Sequence, residues 1–358
     1  MTREELFSIK IKRPDETAYR AAKERWDEIA KPLDGLGDLE EMICRVASMQ
    51  GTDAVALFPK TLLIMCADNG IVAEGVTQTG QEVTRDVASL MGLQKSSVGV
   101  MAGDHPVEIK AYDVGINGPT PAGVRDKKVC FGTADFLKEP AMSEAVTLEA
   151  VSVGIGAACE AFGRGAKILA TGEMGIGNTT TATALLCALT GTDASECTGR
   201  GAGLSDEGLA RKIAVIEEGL RLHMGGDATG TGDAAFHALC CLGGADLAAL
   251  CGVFIGAAKC GIPVVIDGLI PAVAALCAER LVPGCRGYML PSHMGKEKGM
   301  ERVMKELGLH PVIHANLALG EGTGALLLFP MLDMALSLYE KGTTFSGAAI
   351  GSYERYDH

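Results

Sequence analysis

A glycine-rich segment at residues 172–180, GEMGIGNTT, is the part of this 358-residue chain most typical of a ligand-binding loop. It follows the apolar run Lys167–Ala170 and opens into a helix-like stretch at Thr181–Leu186. Glycines let a backbone adopt positive φ and approach a ligand, and the first amides of a helix attract anions. The segment therefore predicts a phosphate site, although a plain turn between a strand and a helix has a similar composition.

Two glutamates lie inside glycine-rich segments and are candidates for acid–base chemistry. Glu173 lies in the predicted phosphate loop, where a carboxylate repels the phosphate, so it suggests a second ligand group that needs an acceptor. Glu321 lies in Gly320–Gly324, ahead of an apolar helix at Ala325–Leu338. It is either a solvated loop charge or a presented base, and a carboxylate at that place also stabilises the helix by up to about 1 kcal/mol.

A second glycine-rich turn, Thr198–Leu204, precedes a predicted helix that begins after Ser205. That helix carries Arg211 and Lys212 about two turns in, and a solvated position is the usual one for a lysine. Further along, the composition of Gly225–Gly232 predicts a flexible surface loop.

Five short apolar runs alternate with amphipathic stretches, which predicts a parallel sheet with crossover helices. Each run ends in polar or acidic residues, and ligands of open parallel sheets bind beyond the carboxyl ends of the strands. We therefore expect the strand ends to converge on one site, although Asp-Gly pairs also simply make good turns. The predicted strands and the residues after them are Thr61–Cys66 with Asp68 and Asn69, Ile109–Tyr112 with Asp113, Lys167–Ala170 with Glu173, Pro263–Ile266 with Asp267, and Gly287–Leu290 with Ser292 and His293.

The N-terminal part reads as helical from Asp15 to Met49, with a break at Lys31-Pro32. The length allows about two domains of roughly 150 residues. A net charge of −13 argues against a nucleic-acid partner, because binding that polymer depends on Lys and Arg. The apolar stretch Leu247–Ala258 is too short to span a bilayer, and Met1–Leu6 lacks the apolar core of a signal peptide, so we expect no membrane role and a cytoplasmic protein.

The twelve cysteines are spread along the chain among apolar neighbours and form no C-x-x-C pair. This distribution predicts buried thiols in a reducing compartment rather than disulfides. The cysteines and the seven histidines do not show the spacing of a metal site.

Six segments in order resemble the signature blocks of the nicotinate-nucleotide:dimethylbenzimidazole phosphoribosyltransferase family, whose members make the lower-ligand nucleotide of cobalamin. The resemblance runs from about Lys31 to the C-terminus, and the pair GEMGIGNTT and LGEGTGA is highly specific. The blocks are ADNGIVAEGV at 67–76, QEVT at 81–84, GEMGIGNTT at 172–180, GRGAGL at 199–204, LPSH at 290–293 and LGEGTGA at 319–325.

The resemblance implies that Glu321 is a general base that takes the N–H proton of a benzimidazole while the other ring nitrogen attacks C1′ of nicotinate mononucleotide. Glu173 would orient the ring. It further implies a homodimer that needs no metal and no cofactor. The implied substrate-binding residues are Glu173, Met174, Thr77, Gln81 and Leu319, with Gly175, Gly177, Asn178, Gly201, Lys212 and Ser292 as phosphate and ribose contacts.

The expected fold is a doubly wound, Rossmann-like parallel α/β sheet at residues 46–329, with a small helical domain made from residues 1–45 and 330–358. Two departures affect the acceptor base. Asn69 replaces a frequent His, and Gln78-Thr79-Gly80 stands where the family often has an aromatic residue, which weakens stacking on the ring.

The sequence leaves two questions of function open, the acceptor base and a purely binding role, and disfavours a third function. The acceptor is a benzimidazole or another base, such as a purine or a phenol. A non-catalytic nucleotide-binding subunit is also conceivable, but such a protein has no need for Glu321. A dinucleotide-dependent dehydrogenase is disfavoured because the segment from Gly172 does not read G-x-G-x-x-G.

Overall fold

A six-stranded, fully parallel β-sheet forms the centre of the chain, with the strand order β3-β2-β1-β4-β5-β6. The computed structural model describes residues 1–103, 105–225 and 232–355. This strand order is that of the dinucleotide-binding α/β folds, in which the direction of winding reverses between β1 and β4. The expected doubly wound α/β fold is therefore confirmed. The strands are β1 Lys60–Ala67, β2 Val107–Gly115, β3 Arg125–Asp126, β4 Ile168–Met174, β5 Val264–Ile266 and β6 Met289–Pro291.

Helices connect the strands and extend the fold at both termini. Several of them are buried all round, as is expected of helices that cover a parallel sheet in a large domain. The helices are α1 Arg3–Ser8, α2 Glu16–Glu28, α3 Asp38–Gln50, α4 Glu82–Gly92, α5 Ser97–Ala102, α6 Glu144–Gly163, α7 Asn178–Thr190, α8 Ala194–Cys197, α9 Asp206–His223, α10 Gly232–Leu242, α11 Ala245–Cys260, α12 Leu269–Leu281, α13 Gly299–Leu307, α14 Thr323–Lys341 and α15 Phe345–Ala348.

All five predicted strands are present. The difference that matters for the site is in β4, which continues past Ala170 to Met174, so that Gly172 and Glu173 belong to the strand and not to the loop. The extension is possible because β1 pairs with β4 along its whole length, up to Cys66 opposite Met174. The two-residue strand β3 was not predicted, since only its pairing with Tyr112 and Asp113 of β2 defines it.

Helix α6 passes simple length and composition criteria for a membrane-spanning helix, which the sequence analysis did not single out. In the fold it packs against α11, and glycines bring the two backbones together. A methyl group on Gly154 of α6 would lie 1.8 Å from the carbonyl oxygen of Ala249, and one on Gly252 of α11 would lie 2.0 Å from that of Val151. Small residues at such a contact are what close helix packing requires.

The terminal helices pack together around the chain's only tryptophan. Trp26 of α2 is fully buried, and its ring lies 5.2 Å from that of Tyr339 in α14. Helix α14 runs continuously across residue 330, and the division of the chain into two domains stays a prediction. Of the loop predicted at Gly225–Gly232, residues 226–231 lie outside the described residues.

All twelve cysteines are free thiols. Most are buried, as predicted, and Cys130, Cys159 and Cys260 are half-buried.

Candidate active site

A cavity of about 330 Å³ lies at the carboxyl ends of β4, β5 and β6. Nine of the predicted site residues line it, which brings together segments that are more than 200 residues apart in sequence. They are Thr77, Glu173, Met174, Gly175, Gly177, Asn178, Gly201, Leu319 and Glu321.

The polar residues that follow β1 and β2 do not belong to the cavity lining, in contrast to the expectation that all strand ends converge. Their side chains hold loops instead. Asp113 accepts hydrogen bonds from the amides of Gly115 and Ile116 and pairs with Lys128 at 2.6 Å. Asp68 accepts a hydrogen bond from the amide of Asn117. The site therefore uses one half of the sheet.

The glycine-rich segment forms the start of helix α7 at the cavity wall. Gly177 adopts a φ of 93° and precedes the first helical residue, Asn178. Gly175 packs against the side chains beneath, since a methyl group there would lie 2.6 Å from Oδ2 of Asp246. The start of α7 and the positive end of its dipole thus lie at the cavity wall, a place that favours anions.

Three predicted site residues lie behind the lining. Lys212 is buried in α9, and its Nζ donates a hydrogen bond to Oγ1 of Thr179 at 2.8 Å. Burial lowers the pKa of this amine to about 8. Gln81 donates from Nε2 to the carbonyl oxygen of Asn69 at 3.0 Å. Since Thr179 lines the cavity, Lys212 lies one side chain away from it. The third of these residues is Ser292, at the end of β6.

Asn178, which lines the cavity, joins the carboxylate of Glu173 in the lining to that of Asp246 behind it. Its Nδ2 donates to Oε2 of Glu173 and, at 3.1 Å, to Oδ2 of Asp246. Burial raises the pKa of Glu173 to about 8 and that of Asp246 to about 6, and neighbouring carboxylates including Asp267 and Glu321 add to the shift of Glu173. Near neutral pH, Glu173 is thus largely a protonated, uncharged acid.

The segment that carries Glu321 is fixed in an unusual backbone conformation. Gly320, Glu321 and Gly322 are three successive residues with positive φ, at 84°, 61° and 88°. For a glutamate this conformation costs of order 1–2 kcal/mol, so surrounding contacts must enforce it. Oε2 of Glu321 accepts a hydrogen bond from the amide of Val98 at 3.1 Å.

Asp267 is the residue that holds this segment. It accepts hydrogen bonds from the amides of Gly322 at 3.1 Å and Ala325 at 3.0 Å. Asp267, and not Glu321, is therefore the carboxylate that stabilises the N-terminus of α14. Burial raises the pKa of Asp267 to about 7, and the amide hydrogen bonds lower it. Glu321 is therefore presented from a tethered turn and not from a flexible one.

Gly172 allows β4 to approach the turn. A methyl group there would lie 2.7 Å from the carbonyl oxygen of Glu321 and 2.8 Å from the amide nitrogen of Gly322. Gly172→Ala should therefore displace the turn, lower kcat by about tenfold or more, and cost about 1–3 kcal/mol of unfolding free energy. Gly156→Ala is the matched control, because nothing lies within 4 Å of the added methyl group. Steady-state kinetics and urea titration would reveal the difference, and equal behaviour of the two variants would contradict it.

Ser292 and His293 lie at the end of β6. Ser292 is fully buried and does not reach the cavity, whereas His293 lines it. The Ser292 hydroxyl donates to the carbonyl oxygen of Asp267 at 3.3 Å and lies 2.9 Å from Nδ1 of His293. Burial lowers the pKa of His293, so its imidazole is neutral at physiological pH.

Sequence reasoning missed Asp246 and underused Asp267 and His293. Asp246 directly precedes the apolar stretch Leu247–Ala258, and it lies fully buried at the start of α11. The signal available in the sequence was a single acidic residue at the boundary of an apolar helix. Asn69, one of the departures noted above, lies behind the lining: a methyl group on Gly175 would lie 3.1 Å from its Nδ2, and one on Gly177 would lie 3.2 Å from its Cβ.

The wall that faces the predicted base contains no aromatic side chain among the described residues. Its apolar surface comes instead from aliphatic and thioether groups. Gln78, one of the departures noted above, donates a hydrogen bond from Nε2 to the carbonyl oxygen of Gly203. A flat heterocycle would thus pack between aliphatic side chains without aromatic stacking. The apolar lining residues are Val76, Val87, Met174, Ile176, Ala202, Leu204, Leu269, Ile270, Pro271, Ala318 and Leu319.

The raised pKa of Glu173 leads to a stability prediction. A carboxyl group with a pKa of about 4.5 when unfolded and about 8 when folded binds its proton more tightly in the folded state. The protein therefore loses stability as the pH rises from about 4.5 to 8. Glu173→Gln removes this dependence, so its melting temperature relative to wild type should increase between pH 5 and pH 8. A constant difference across this range, measured by calorimetry, would contradict the buried acid.

Comparison with known proteins identifies the family of the chain. The profile of a family described as "Phosphoribosyltransferase" matches residues 11–350. The chain is 40% identical over 331 residues to nicotinate-nucleotide–dimethylbenzimidazole phosphoribosyltransferase of Acetivibrio thermocellus, covering 92% of this chain and 93% of the relative. It is 38% identical to the protein of the same name from Chloroflexus aurantiacus, with 94% and 95% covered.

A solved structure gives the same result. The crystal structure of CobT from Thermus thermophilus superposes with a TM-score of 0.88 at 35% identity, over 94% of this chain and 100% of the other. At this identity the similarity extends beyond a shared fold. The chain belongs to the nicotinate-nucleotide–dimethylbenzimidazole phosphoribosyltransferase family.

Proposed function

We propose that this enzyme transfers the phosphoribosyl group of nicotinate mononucleotide to dimethylbenzimidazole, which gives α-ribazole phosphate and nicotinate in cobalamin nucleotide-loop assembly. The observation that carries the proposal is one cavity with an anion-binding helix start, at Gly177, and two glutamates, Glu173 and Glu321. A methyl group on Gly320 would lie 2.7 Å from Oε1 of Glu173, so the Glu321 turn packs directly on Glu173.

The phosphate end of the cavity is assigned to the start of α7 and the turn at Gly201. Thr179 lines this end, with the Lys212 amine behind it. A phosphate dianion would gain backbone amides, a helix dipole and a nearby amine, while the rest of the acidic chain repels it. This assignment places C1′ of the nucleotide between the phosphate end and the two glutamates.

The reaction is a displacement at C1′. A ring nitrogen of the base forms a bond to C1′, the bond from C1′ to the nicotinate nitrogen breaks with its electron pair, and the configuration inverts from β to α. The attacking base would otherwise carry a positive charge, which it loses when Glu321 accepts its N–H proton. General-base assistance of this kind is typically worth about 10²–10⁴-fold.

The carboxylates around the cavity support a cationic transition state. The ring nitrogen of nicotinate mononucleotide is a pyridinium, and its charge passes to the ribosyl carbon as the bond breaks. Asp246, with a pKa of about 6, is mostly ionised near neutral pH and is buried beside the site, and fixed negative charge in a dry site stabilises such a cation more than water does. Glu173, as a neutral acid, is free to orient the base by a hydrogen bond.

The aliphatic side chains of the cavity wall favour an acceptor base with apolar edges. A methylated benzimidazole presents apolar edges to Met174 and Leu319, whereas adenine would leave its exocyclic amine opposite an apolar surface. Dimethylbenzimidazole is therefore the preferred acceptor that we propose, with purines and phenols as weaker ones.

The test is a product assay. Purified protein is incubated with nicotinate mononucleotide and one base at a time, namely dimethylbenzimidazole, benzimidazole, adenine or a cresol, and the products are separated and weighed by mass spectrometry. An α-riboside phosphate together with released nicotinate supports the proposal and ranks the bases. Measurable nucleotide binding without any product would favour a binding subunit.

We also propose that the enzyme is a cytoplasmic homodimer. Free, mostly buried thiols suit a reducing compartment. Val100 of α5 and Met334 of α14 are each 70% exposed, on two helices that pack together, and supply apolar surface for self-association. Light scattering on the purified protein tests the dimer, and a monomeric mass at micromolar concentration would reject it.

A further inference from the structure

His293 is a cavity residue that the reaction as described does not use. The imidazole is buried, lines the cavity at the end of β6, and lies under the first turn of α14. A methyl group on Gly324 would lie 2.1 Å from Nδ1, so the ring occupies the space that this glycine leaves open. The positive end of the α14 dipole disfavours an imidazolium there, which together with burial keeps the ring neutral.

The tautomer of His293 follows from Ser292. A carbonyl oxygen can only accept, so the Ser292 hydroxyl proton points to the carbonyl of Asp267 at 3.3 Å. The same hydroxyl oxygen lies 2.9 Å from Nδ1 of His293, and both contacts are satisfied together only if Nδ1 carries the proton. Nε2 is then an acceptor, and it has no hydrogen-bond partner among the described residues.

Only a few donors are available to such an acceptor. The identification of these donors rests on the proposed function, because it takes nicotinate mononucleotide and dimethylbenzimidazole as the substrates. At neutral pH, nicotinate mononucleotide has a carboxylate, a pyridinium without an N–H, a phosphate and two ribose hydroxyls, so its donors are the hydroxyls. The single N–H of dimethylbenzimidazole is assigned to Glu321. A neutral acceptor on the cavity wall therefore matches the ribose.

A second side chain with acceptor oxygens, that of Glu297, belongs to the same cavity lining. Glu297 lines the cavity, and its buried Oε2 has no hydrogen-bond partner among the described residues. A lining that offers acceptors suits the neutral ribose hydroxyls, which donate, better than it suits the anionic groups of the nucleotide.

We propose that Nε2 of His293 accepts a hydrogen bond from a ribose hydroxyl of the nucleotide, and that Ser292 acts through His293 as the positioning residue that fixes its tautomer. Ser292 thus contributes to ribose binding without contacting the ribose. His293 in turn selects a ribonucleotide over a deoxyribonucleotide.

The experiment combines protein variants with substrate analogues. Dissociation constants and kcat/KM are measured for nicotinate mononucleotide and its 2′-deoxy and 3′-deoxy analogues, with wild type, His293→Phe, His293→Gln and Ser292→Ala. Wild type should discriminate against one analogue by about tenfold or more, because that analogue leaves the acceptor unpaired. His293→Phe should lose this discrimination for the same hydroxyl, while His293→Gln, which keeps an acceptor, should retain part of it.

Ser292→Ala should reduce the discrimination by a few fold, since the ring is no longer held in one tautomer. His310→Gln is the matched control at an exposed histidine and should behave as wild type. Unchanged discrimination against both analogues in His293→Phe, or in Ser292→Ala and His293→Gln if the phenylalanine variant does not fold, would overturn the inference. Absence of turnover in wild type would instead count against the proposed function, and the binding constants would still test His293.

Discussion

Glu321→Gln should lower kcat with dimethylbenzimidazole by about 10²–10⁴-fold while nucleotide binding stays near wild type. The amide oxygen of glutamine can still accept the hydrogen bond that Val98 donates to Oε2 of Glu321, so the turn should keep its conformation. What the variant loses is a group that can take a proton. Single-turnover kinetics measure the chemical step, and calorimetry measures the affinity for nicotinate mononucleotide.

A change of acceptor separates base catalysis from mere positioning. A benzimidazole with a more acidic N–H, such as a nitro derivative, loses its proton to water more easily and depends less on Glu321. The loss of rate in Glu321→Gln should therefore be smaller with the nitro derivative than with dimethylbenzimidazole. An equal loss with both acceptors would indicate that Glu321 only positions the ring, and near-normal turnover would remove it from the mechanism.

The sequence predicts the architecture because the strands of a parallel sheet are buried on both faces. Every residue of β1 is buried, and its stretch from Leu62 to Ala67 is apolar throughout, so it is recognisable by itself. The glycine-rich segments are recognisable for a similar local reason, because residues with positive φ such as Gly177 favour glycine. These features do not depend on knowing the tertiary structure.

The parts of the site that escape prediction depend on contacts between distant segments. Asp246 is 68 residues from Asn178, and its role becomes visible only when α11 and α7 lie side by side. Asp267 follows a predicted strand, but its hydrogen bonds to Gly322 and Ala325 require α14 to begin above it. A pattern within one segment carries no information on either contact.

Burial also changes the role that a residue type indicates. In the sequence, Lys212 reads as a solvated helix residue, yet it is fully enclosed and donates to Thr179. Burying this amine costs solvation free energy, and an uncharged side chain could fill the same space without that cost. That cost is the best reason to assign it a ligand.

Lys212→Met should therefore weaken binding of nicotinate mononucleotide by about 10–100-fold, the range expected when a hydrogen-bonded charge near a phosphate is lost. The pKa of the wild-type amine is about 8, so the amine loses its charge as the pH rises through 8. The affinity of the wild-type protein for the nucleotide should therefore fall over this range. The methionine variant should not show this fall. Arg211→Met removes an exposed charge from the adjacent residue and is the control.

The same substitution should increase stability. A lysine whose pKa falls from 10.5 when unfolded to about 8 when folded binds its proton less tightly in the folded state, so it destabilises the fold most below pH 8 and progressively less up to pH 10.5. Lys212→Met removes this cost, and its advantage in unfolding free energy should be largest near pH 7 and shrink toward pH 10. Weaker nucleotide binding in a more stable protein would identify Lys212 as a ligand-binding residue. Unchanged affinity with unchanged pH dependence would show that the amine serves only Thr179.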